Sequence, residues 1–272
     1  MKRLITNDMP LFQEYAGRMP LRKGILLILS VIFLSLLFAA CSGSMKAKKE
    51  KASAMEDMGR SLFQQGNSRE GLSYLQKAAE LDPNNPDIEH ELALVYGNLE
   101  EYDLALRHYK KAIELKPNFS DAFNNMGTLY SKMKEWDKAL ECFQRAVSDV
   151  LYKTPHFAYH NMGLVYYYKG DYLKAIECYQ KASKLSPSYV NVYFDLAAAN
   201  IALNRNEDAI EVYKKAGTLS SSKKAELSLA TLYIRMNRTR DAADLLRAII
   251  ESNPRSQVAK EASQLLENIN KK

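Results

Sequence analysis

The chain has 272 residues, of which 47% are hydrophobic and 10% aromatic, with 11 glycines; this composition excludes collagen-like and disordered chains and is sufficient for a packed core. The formal net charge is +6, but five basic and two acidic residues precede residue 41. Of the 38 basic and 32 acidic residues, 33 and 30 therefore lie after that point, and this near balance gives no argument for nucleic-acid binding.

The N-terminal segment has the order of residues that is typical of a secretory signal. Residues 25–38 read ILLILSVIFLSLLF, follow Arg22 and Lys23, and precede Ala39 and Ala40. A helix needs about 20 apolar residues to cross the hydrocarbon of a membrane, so this run is short and cleavage is favoured. Residues 1–40 are therefore predicted to be a signal peptide. Met19, which opens the compact sequence MPLRKG, is the expected true start.

The residues that follow the apolar run resemble the lipobox of bacterial lipoproteins. The sequence at 38–41 is Phe-Ala-Ala-Cys, and the resemblance implies that Cys41 receives a diacylglycerol and becomes the first mature residue. Phe38 departs from the aliphatic residue usual in that family. Ser42, where Asp would imply retention at the inner membrane, implies an outer-membrane lipoprotein that faces the periplasm. A non-lipidated secretory signal and an uncleaved anchor are the alternatives.

The segment between the cysteine and the first repeat is small and basic. Residues 42–51 read SGSMKAKKEK and show no apolar periodicity. Together with Cys41 they are predicted to form a lipidated, flexible tether over 41–51.

From residue 52 to residue 254 the sequence repeats at intervals of 33 to 36 residues, in the segments 52–85, 86–119, 120–155, 156–189, 190–222 and 223–254. Two positions of the repeat are always small, which indicates that two helices approach closely there, and a period of this length predicts helical hairpins. Position eight holds Gly59, Ala93, Gly127, Gly163, Ala197 and Ala230, and position twenty holds Gly71, Ala105, Ala139, Ala175, Ala209 and Ala242.

These rows resemble the tetratricopeptide family. The resemblance implies an all-α, right-handed superhelical solenoid of six hairpins, in which the first helices line a concave groove and each hairpin contacts only its neighbours. Residues 255–272 are predicted to add a capping helix and tail, because Val258, Ala262, Leu265, Leu266 and Ile269 fall on one helical face.

No motif for phosphate binding, zinc or nucleophilic catalysis occurs in the sequence, so no enzyme, cofactor or metal site is predicted. His156 and His160 are one helical turn apart but have no third ligand nearby. Cys142 and Cys178 occupy position twenty-three of adjacent repeats, roughly 8 to 10 Å apart if the helices pack normally, and are expected to be packing residues. Tyr102, Trp136 and Tyr172 share position seventeen and are predicted to be structural.

In the tetratricopeptide family, positions two, five, six, nine, twelve and thirteen face the groove. In the second half of this chain those positions are mostly apolar, which predicts a groove for an amphipathic helix or an apolar peptide. The alternative is that superhelix curvature or the terminal helix covers this surface. The predicted partner-binding residues are Phe157, His160, Asn161, Leu164, Tyr167, Tyr168, Phe194, Ile201, Leu227 and Ile234, with Asn125 and Asn161 suited to bind a partner's backbone.

A lipobox followed by six repeats is similar to the type IV pilus biogenesis lipoproteins, the pilotins that help secretin subunits to assemble in the outer membrane. The segment from Ser148 to Pro155 makes the third repeat two residues longer than its neighbours. This segment, which leads into Asn161-Met162-Gly163, also resembles that family. The resemblance implies a secretin subunit or other pilus assembly protein as partner. An envelope scaffold for cell-wall hydrolases or outer-membrane assembly, and a regulatory subunit of an enzyme encoded elsewhere, are the alternative functions.

Overall fold

The computed structural model describes residues 21–220 and 223–271, apart from the side chains of 21–28, 31–44 and 220. Within these ranges the chain forms thirteen α-helices and no strand, so the predicted all-α fold class is confirmed. The possible start at Met19 and the side chain of Cys41 lie outside the described residues. The helices are α1 (Leu21–Gln64), α2 (Ser68–Leu81), α3 (Pro86–Asn98), α4 (Tyr102–Leu115), α5 (Ser120–Lys132), α6 (Trp136–Ser148), α7 (Pro155–Tyr168), α8 (Tyr172–Leu185), α9 (Asn191–Ala202), α10 (Asn206–Ser220), α11 (Lys223–Arg235), α12 (Thr239–Ser252) and α13 (Gln257–Asn270).

The described residues divide into two compact units, one that ends at residue 84 and one that begins at residue 85. In the first unit, the end of α1 packs against α2 to form the first hairpin. The contact is close because both crossing residues are glycines: a Cβ added to Gly71 would lie 2.7 Å from the carbonyl oxygen of Gly59. Leu75 and Ala78 of α2 are fully buried beside this crossing.

Residues 42–51 are helical in the structure, where the sequence analysis expected a flexible tether. They belong to α1, which runs without a break from Leu21 to Gln64. Ala, Met, Lys and Glu all favour helix intrinsically, and the i,i+4 pair of Lys46 and Glu50, 3.9 Å apart, adds a small contribution. The absence of apolar periodicity therefore did not prevent helix formation. No helix in the described part of the chain is long and apolar enough to span a membrane.

The second unit consists of five hairpins, α3/α4 to α11/α12, followed by α13, and each helix packs against the next. Small residues allow the two helices of a hairpin to approach closely. A Cβ on Gly127 would lie 2.7 Å from Cε1 of Phe143, and the alanines at positions eight and twenty of this unit are fully buried. The first helices also contact each other, α3 with α5, α5 with α7 and α7 with α9. Helices α3, α5, α7 and α9 therefore form one continuous face.

The turn inside each hairpin contains a residue in the left-handed backbone region. This residue is always at position fifteen of the repeat, with φ between 57° and 87°. Glycine adopts this conformation freely, whereas other residues pay a steric cost. The six residues are Gly66, Glu100, Lys134, Gly170, Asn204 and Asn237.

The terminal helix α13 covers the last hairpin. Ser256 caps its N-terminus by accepting a hydrogen bond from the backbone N–H of Ala259, at 3.1 Å. Ala262 is fully buried in a cluster with Leu246 and Ile249 of α12. The predicted apolar face of this helix therefore packs against the preceding repeat.

Candidate functional site

The predicted groove residues occupy several different environments. Phe157 and Tyr168 on α7 are exposed, with 39% and 70% of their surface accessible. Leu164, Tyr167 and Phe194 are partly buried against the core of repeats four and five. Ile201 is partly buried in the next core cluster. Of these residues, Tyr168 is the one with most of its surface open to solvent.

Leu227 and Ile234 on α11 are covered by the terminal helix. Both pack into the cluster that contains Leu265, Leu266 and Ile269 of α13. For these two residues the structure matches the alternative reading, in which the terminal helix covers the surface and makes it core.

The polar residues at positions five and six connect one repeat to the next. The Nδ2 of Asn125 on α5 lies 2.9 Å from Nε2 of His90 on α3. Asn161 on α7 donates from Nδ2 to Oδ1 of Asn124 at 3.1 Å. The amide donors expected to bind a partner's backbone are therefore used between repeats, while Oδ1 of Asn161 has no recorded donor in the described residues.

His160 continues this series and is almost fully buried. Its Nε2 lies 2.6 Å from Oδ2 of Asp195 on α9, and its Nδ1 lies 3.0 Å from the hydroxyl of Tyr189. Both ring nitrogens are therefore occupied. His156 instead packs its ring against Phe157, with centroids 4.2 Å apart and the planes tilted by 40°. The described residues contain no group of three or more side chains that could hold a metal ion.

A pocket of about 580 Å³ opens between α5, α6 and α7, and we call it the aromatic pocket. Trp136 at the start of α6 and Tyr168 at the end of α7 are its largest walls, with ring centroids 6.1 Å apart and planes only 14° apart. Its volume lies in the range usual for ligand sites. It is lined by Thr128, Ser131, Lys132, Lys134, Trp136, Phe143, Asn161, Leu164, Val165 and Tyr168.

The aromatic pocket brings together three of the predicted groove residues, Asn161, Leu164 and Tyr168. Trp136 shares its repeat position with Tyr102 and Tyr172, which predicted a structural role, and its place in a pocket wall was therefore not predicted. One signal was available. Trp136 is the only tryptophan of the chain, and tryptophan is enriched where proteins bind one another.

The chemistry of the aromatic pocket is apolar with a basic rim. Ser131 and Thr128 donate their hydroxyl hydrogens to the carbonyl oxygens of Gly127 and Asn124, at 3.0 and 3.1 Å. Lys132 and Lys134 are the charged residues among those that line it. The arrangement suits binding of apolar side chains and provides no acid–base pair for catalysis.

The chain has two buried cysteines in this region, Cys142 and Cys178, and neither forms a disulfide. Burial raises the pKa of Cys142 to about 12 and that of Cys178 to about 11. The thiolate is the reactive form of cysteine, so neither side chain is activated. Both act as small core residues, as their positions in the repeat indicated.

Comparison with known families gives matches over most of the repeat region. Models described as tetratricopeptide repeat match residues 52–85, 86–119, 120–148, 190–222 and 224–256, and one described as TPR repeat matches 163–203. No curated protein sequence matches significantly.

Several solved structures have a similar fold. PilF of Pseudomonas aeruginosa is 23% identical with a TM-score of 0.66, and the match covers 80% of this chain and 99% of that one. PilW, described as a widely conserved type IV pilus biogenesis factor, is 18% identical with a TM-score of 0.66, covering 77% and 97%. MamA of Desulfovibrio magneticus RS-1 is 26% identical with a TM-score of 0.55, covering 63% and 96%.

Proposed function

Because this chain belongs to the tetratricopeptide-repeat family, we propose that it is a non-enzymatic scaffold that binds a protein partner, and specifically a pilotin for the secretin of type IV pili. Repeat scaffolds of this kind use an extended surface of stacked helices for binding. The observation that carries the proposal is the aromatic pocket, in which Trp136 and the exposed Tyr168 present apolar surface next to the face of the first helices.

The choice of a pilus protein as partner has two supports. The first is the lipobox-like sequence ahead of six repeats, with the insertion between repeats three and four. The second is the near-complete coverage of PilF and PilW by this fold. At these identities the structural likeness supports the fold, and the pilus role rests on the combination with the sequence.

In this proposal Cys41 carries the acyl chains and determines the location. Each buried methylene contributes about 0.8 kcal/mol, so two or three acyl chains hold a protein at a membrane far more firmly than one chain. The periplasm-facing leaflet of the outer membrane is the proposed site of action, because Ser42 rather than Asp follows the cysteine. The scaffold would then hold a secretin subunit where the multimer assembles.

Deletion of the gene in the source bacterium tests this function. We expect loss of heat-resistant secretin multimers on an immunoblot and loss of surface pili, both restored by the wild-type gene. Complementation with Cys41→Ser should leave the protein outside the outer-membrane fraction and should not restore multimers. Normal multimers and pili in the deletion strain would exclude the pilotin role. A defect in cell-wall cleavage instead would support the scaffold for cell-wall hydrolases.

A further inference from the structure

The aromatic pocket has features that specify its ligand more closely than the proposed function does. We infer that it binds a peptide segment in which apolar side chains are flanked by a carboxylate of Asp or Glu. This inference rests on the proposed function as a protein-binding scaffold and adds the chemical class of the bound segment.

The pocket interior selects apolar groups. Phe143 and Val165 form its buried floor, with at most 1% of their surface exposed. Trp136 and Tyr168 form a wall of nearly parallel rings. A cavity of about 580 Å³ is large enough for more than one side chain, as when residues at i and i+4 of a helix enter one groove. A bound peptide would cover the exposed ring of Tyr168, and burial of this apolar surface would favour binding.

The rim of the pocket carries positive charge that no neighbouring group neutralises. Lys132 and Lys134 line the pocket, both are exposed, and no Asp or Glu lines it. Within the described ranges 21–220 and 223–271, no ion pair to either lysine is recorded. Nearby Glu135 pairs with Lys138 instead. A carboxylate on the ligand would complement these two lysines, and charge complementarity of this kind favours one partner over others.

A third lysine close to the pocket does not contribute to this charge. The Nζ of Lys169 lies 2.6 Å from Oδ1 of Asp137, so its charge is already paired. The basic rim therefore consists of Lys132 and Lys134 alone, at the end of α5 and in the turn before α6.

Three polar residues also line the pocket, Thr128, Ser131 and Asn161. They favour a position of the peptide's carboxylate at the rim rather than inside. The hydroxyl donors of Ser131 and Thr128 and the amide donor of Asn161 are all used within the protein. What they present to a ligand is acceptor oxygen, which repels a carboxylate but can accept a backbone N–H of the peptide. The interior thus favours apolar side chains, and the two lysines favour the acid.

The test uses the full chain reconstituted in phospholipid vesicles and three synthetic twelve-residue peptides without tryptophan. The first contains Phe and Leu four residues apart, flanked by Glu; the second has Lys in place of Glu; the third has Ser in place of Phe and Leu. Binding is followed by the fluorescence of Trp136, which is the only tryptophan in the mixture, and by the anisotropy of a fluorescein label on the peptide.

We expect the acidic apolar peptide to bind about tenfold or more tightly than the basic one, with a change in Trp136 emission, and the serine peptide not to bind. The double variant Lys132→Ala/Lys134→Ala should lose that preference, whereas Lys110→Ala/Lys184→Ala, which removes two exposed lysines outside the pocket, should keep it. Circular dichroism checks that both variants retain helix. Equal affinity for the acidic and basic peptides, or binding without a change in Trp136 emission, would overturn the inference.

The two proposals fail in different experiments. If the acidic peptide binds as expected while the deletion strain assembles normal secretin multimers, the pilotin function is wrong and the ligand class of the pocket stands. If multimers require the chain but the acidic peptide shows no preference, the ligand class is wrong and the pilotin function stands.

Discussion

The ring of Tyr179 on α8 lies so close to the backbone of Gly163 on α7 that a Cβ on residue 163 would overlap ring atoms Cε1 and Cδ1. Tyr179 is fully buried and has no room to withdraw. Gly163→Ala is therefore expected to lower the free energy of unfolding by about 2 kcal/mol, as overpacking of a core does. Gly97→Ala is the matched control, because its added Cβ would make only ordinary contacts at 3.8 and 3.9 Å.

At Gly97, near the end of α3, the gain in helix propensity should dominate, and we expect Gly97→Ala to stabilise by up to about 1 kcal/mol. Urea denaturation followed by circular dichroism measures both variants. Similar effects of the two substitutions would contradict the close approach of Tyr179 to Gly163.

The hydroxyl of Tyr179 provides a second prediction. It is buried, and no hydrogen-bond partner for it exists among the described residues. A buried polar group without a partner costs about 1 to 3 kcal/mol. Tyr179→Phe is therefore expected to raise the midpoint of urea denaturation. Tyr193→Phe is the control and should lower it, since the Tyr193 hydroxyl donates to the carbonyl oxygen of Pro187 at 3.1 Å.

The left-handed backbone at position fifteen predicts opposite changes in stability at two turns, one where glycine is replaced and one where glycine is introduced. Gly170 has φ of 81° and nothing within 4 Å of an added Cβ, so Gly170→Ala should destabilise by about 1 kcal/mol through backbone conformation alone. Glu100 has φ of 64°, and Glu100→Gly should stabilise by a few tenths to about 1 kcal/mol. Thermal melts of the two variants should therefore shift in opposite directions.

A buried ion pair on α3 and α4 predicts a pH dependence of stability. Burial raises the pKa of Glu89, but hydrogen bonds from His108 and Lys111 outweigh it and hold this pKa below its ordinary value of 4.5. The Nζ of Lys111 and the Nδ1 of His108 each lie 2.7 Å from an oxygen of Glu89. A carboxyl with a lowered pKa stabilises the fold above its unfolded pKa, and this contribution is lost as the pH falls through its folded pKa.

Glu89→Gln is accordingly expected to cost about 2 kcal/mol at pH 7, and the difference from the unmodified chain should shrink below about pH 4. Urea titrations at pH 7, 5 and 3 measure it. Glu114→Gln on the same hairpin serves as the control, because Glu114 is exposed and its replacement should change stability by less than about 0.5 kcal/mol. A pH-independent difference for Glu89→Gln would refute the ion-pair account.

The division of the predicted groove residues is also testable. Leu227 packs under α13, so Leu227→Asp should destabilise by about 2 to 3 kcal/mol because it places a charge in an apolar cluster. Tyr168 is mostly exposed, and Tyr168→Glu should keep the melting temperature within a few degrees while weakening peptide binding. Melting of the Tyr168 variant well below the unmodified chain would place Tyr168 in the core.

The repeat could be predicted from the sequence because steric demands recur at fixed positions. Ala93 and Ala105 are small for the same reason as Gly127 and Ala139, and their spacing predicts the hairpins. The left-handed turn residue is less regular and was not predicted. Position fifteen holds Gly or Asn in four of the six repeats, the residue types that adopt this conformation most readily, but Glu100 and Lys134 interrupt the row.

The site was only partly predictable because it depends on contacts between repeats. Tyr168 follows from groove position, but Trp136 becomes a pocket wall only where Tyr168 of the next repeat stacks on it. Asn125 and Asn161 have the chemistry to bind a peptide backbone, and the structure uses their amide donors for neighbouring repeats. The position in the repeat indicates on which helix face a side chain lies, but it does not indicate which residues of the neighbouring repeat contact it.

The nearest-neighbour packing of α3 to α13 has a consequence for how the second unit loses structure. Each hairpin is held by the adjacent ones, so the outermost element has support on one side only. Contacts are local along the chain, which favours rapid folding from several starting points. Unfolding should thus begin with detachment of α13 and proceed inward, leaving the hairpins around Trp136 among the last to open.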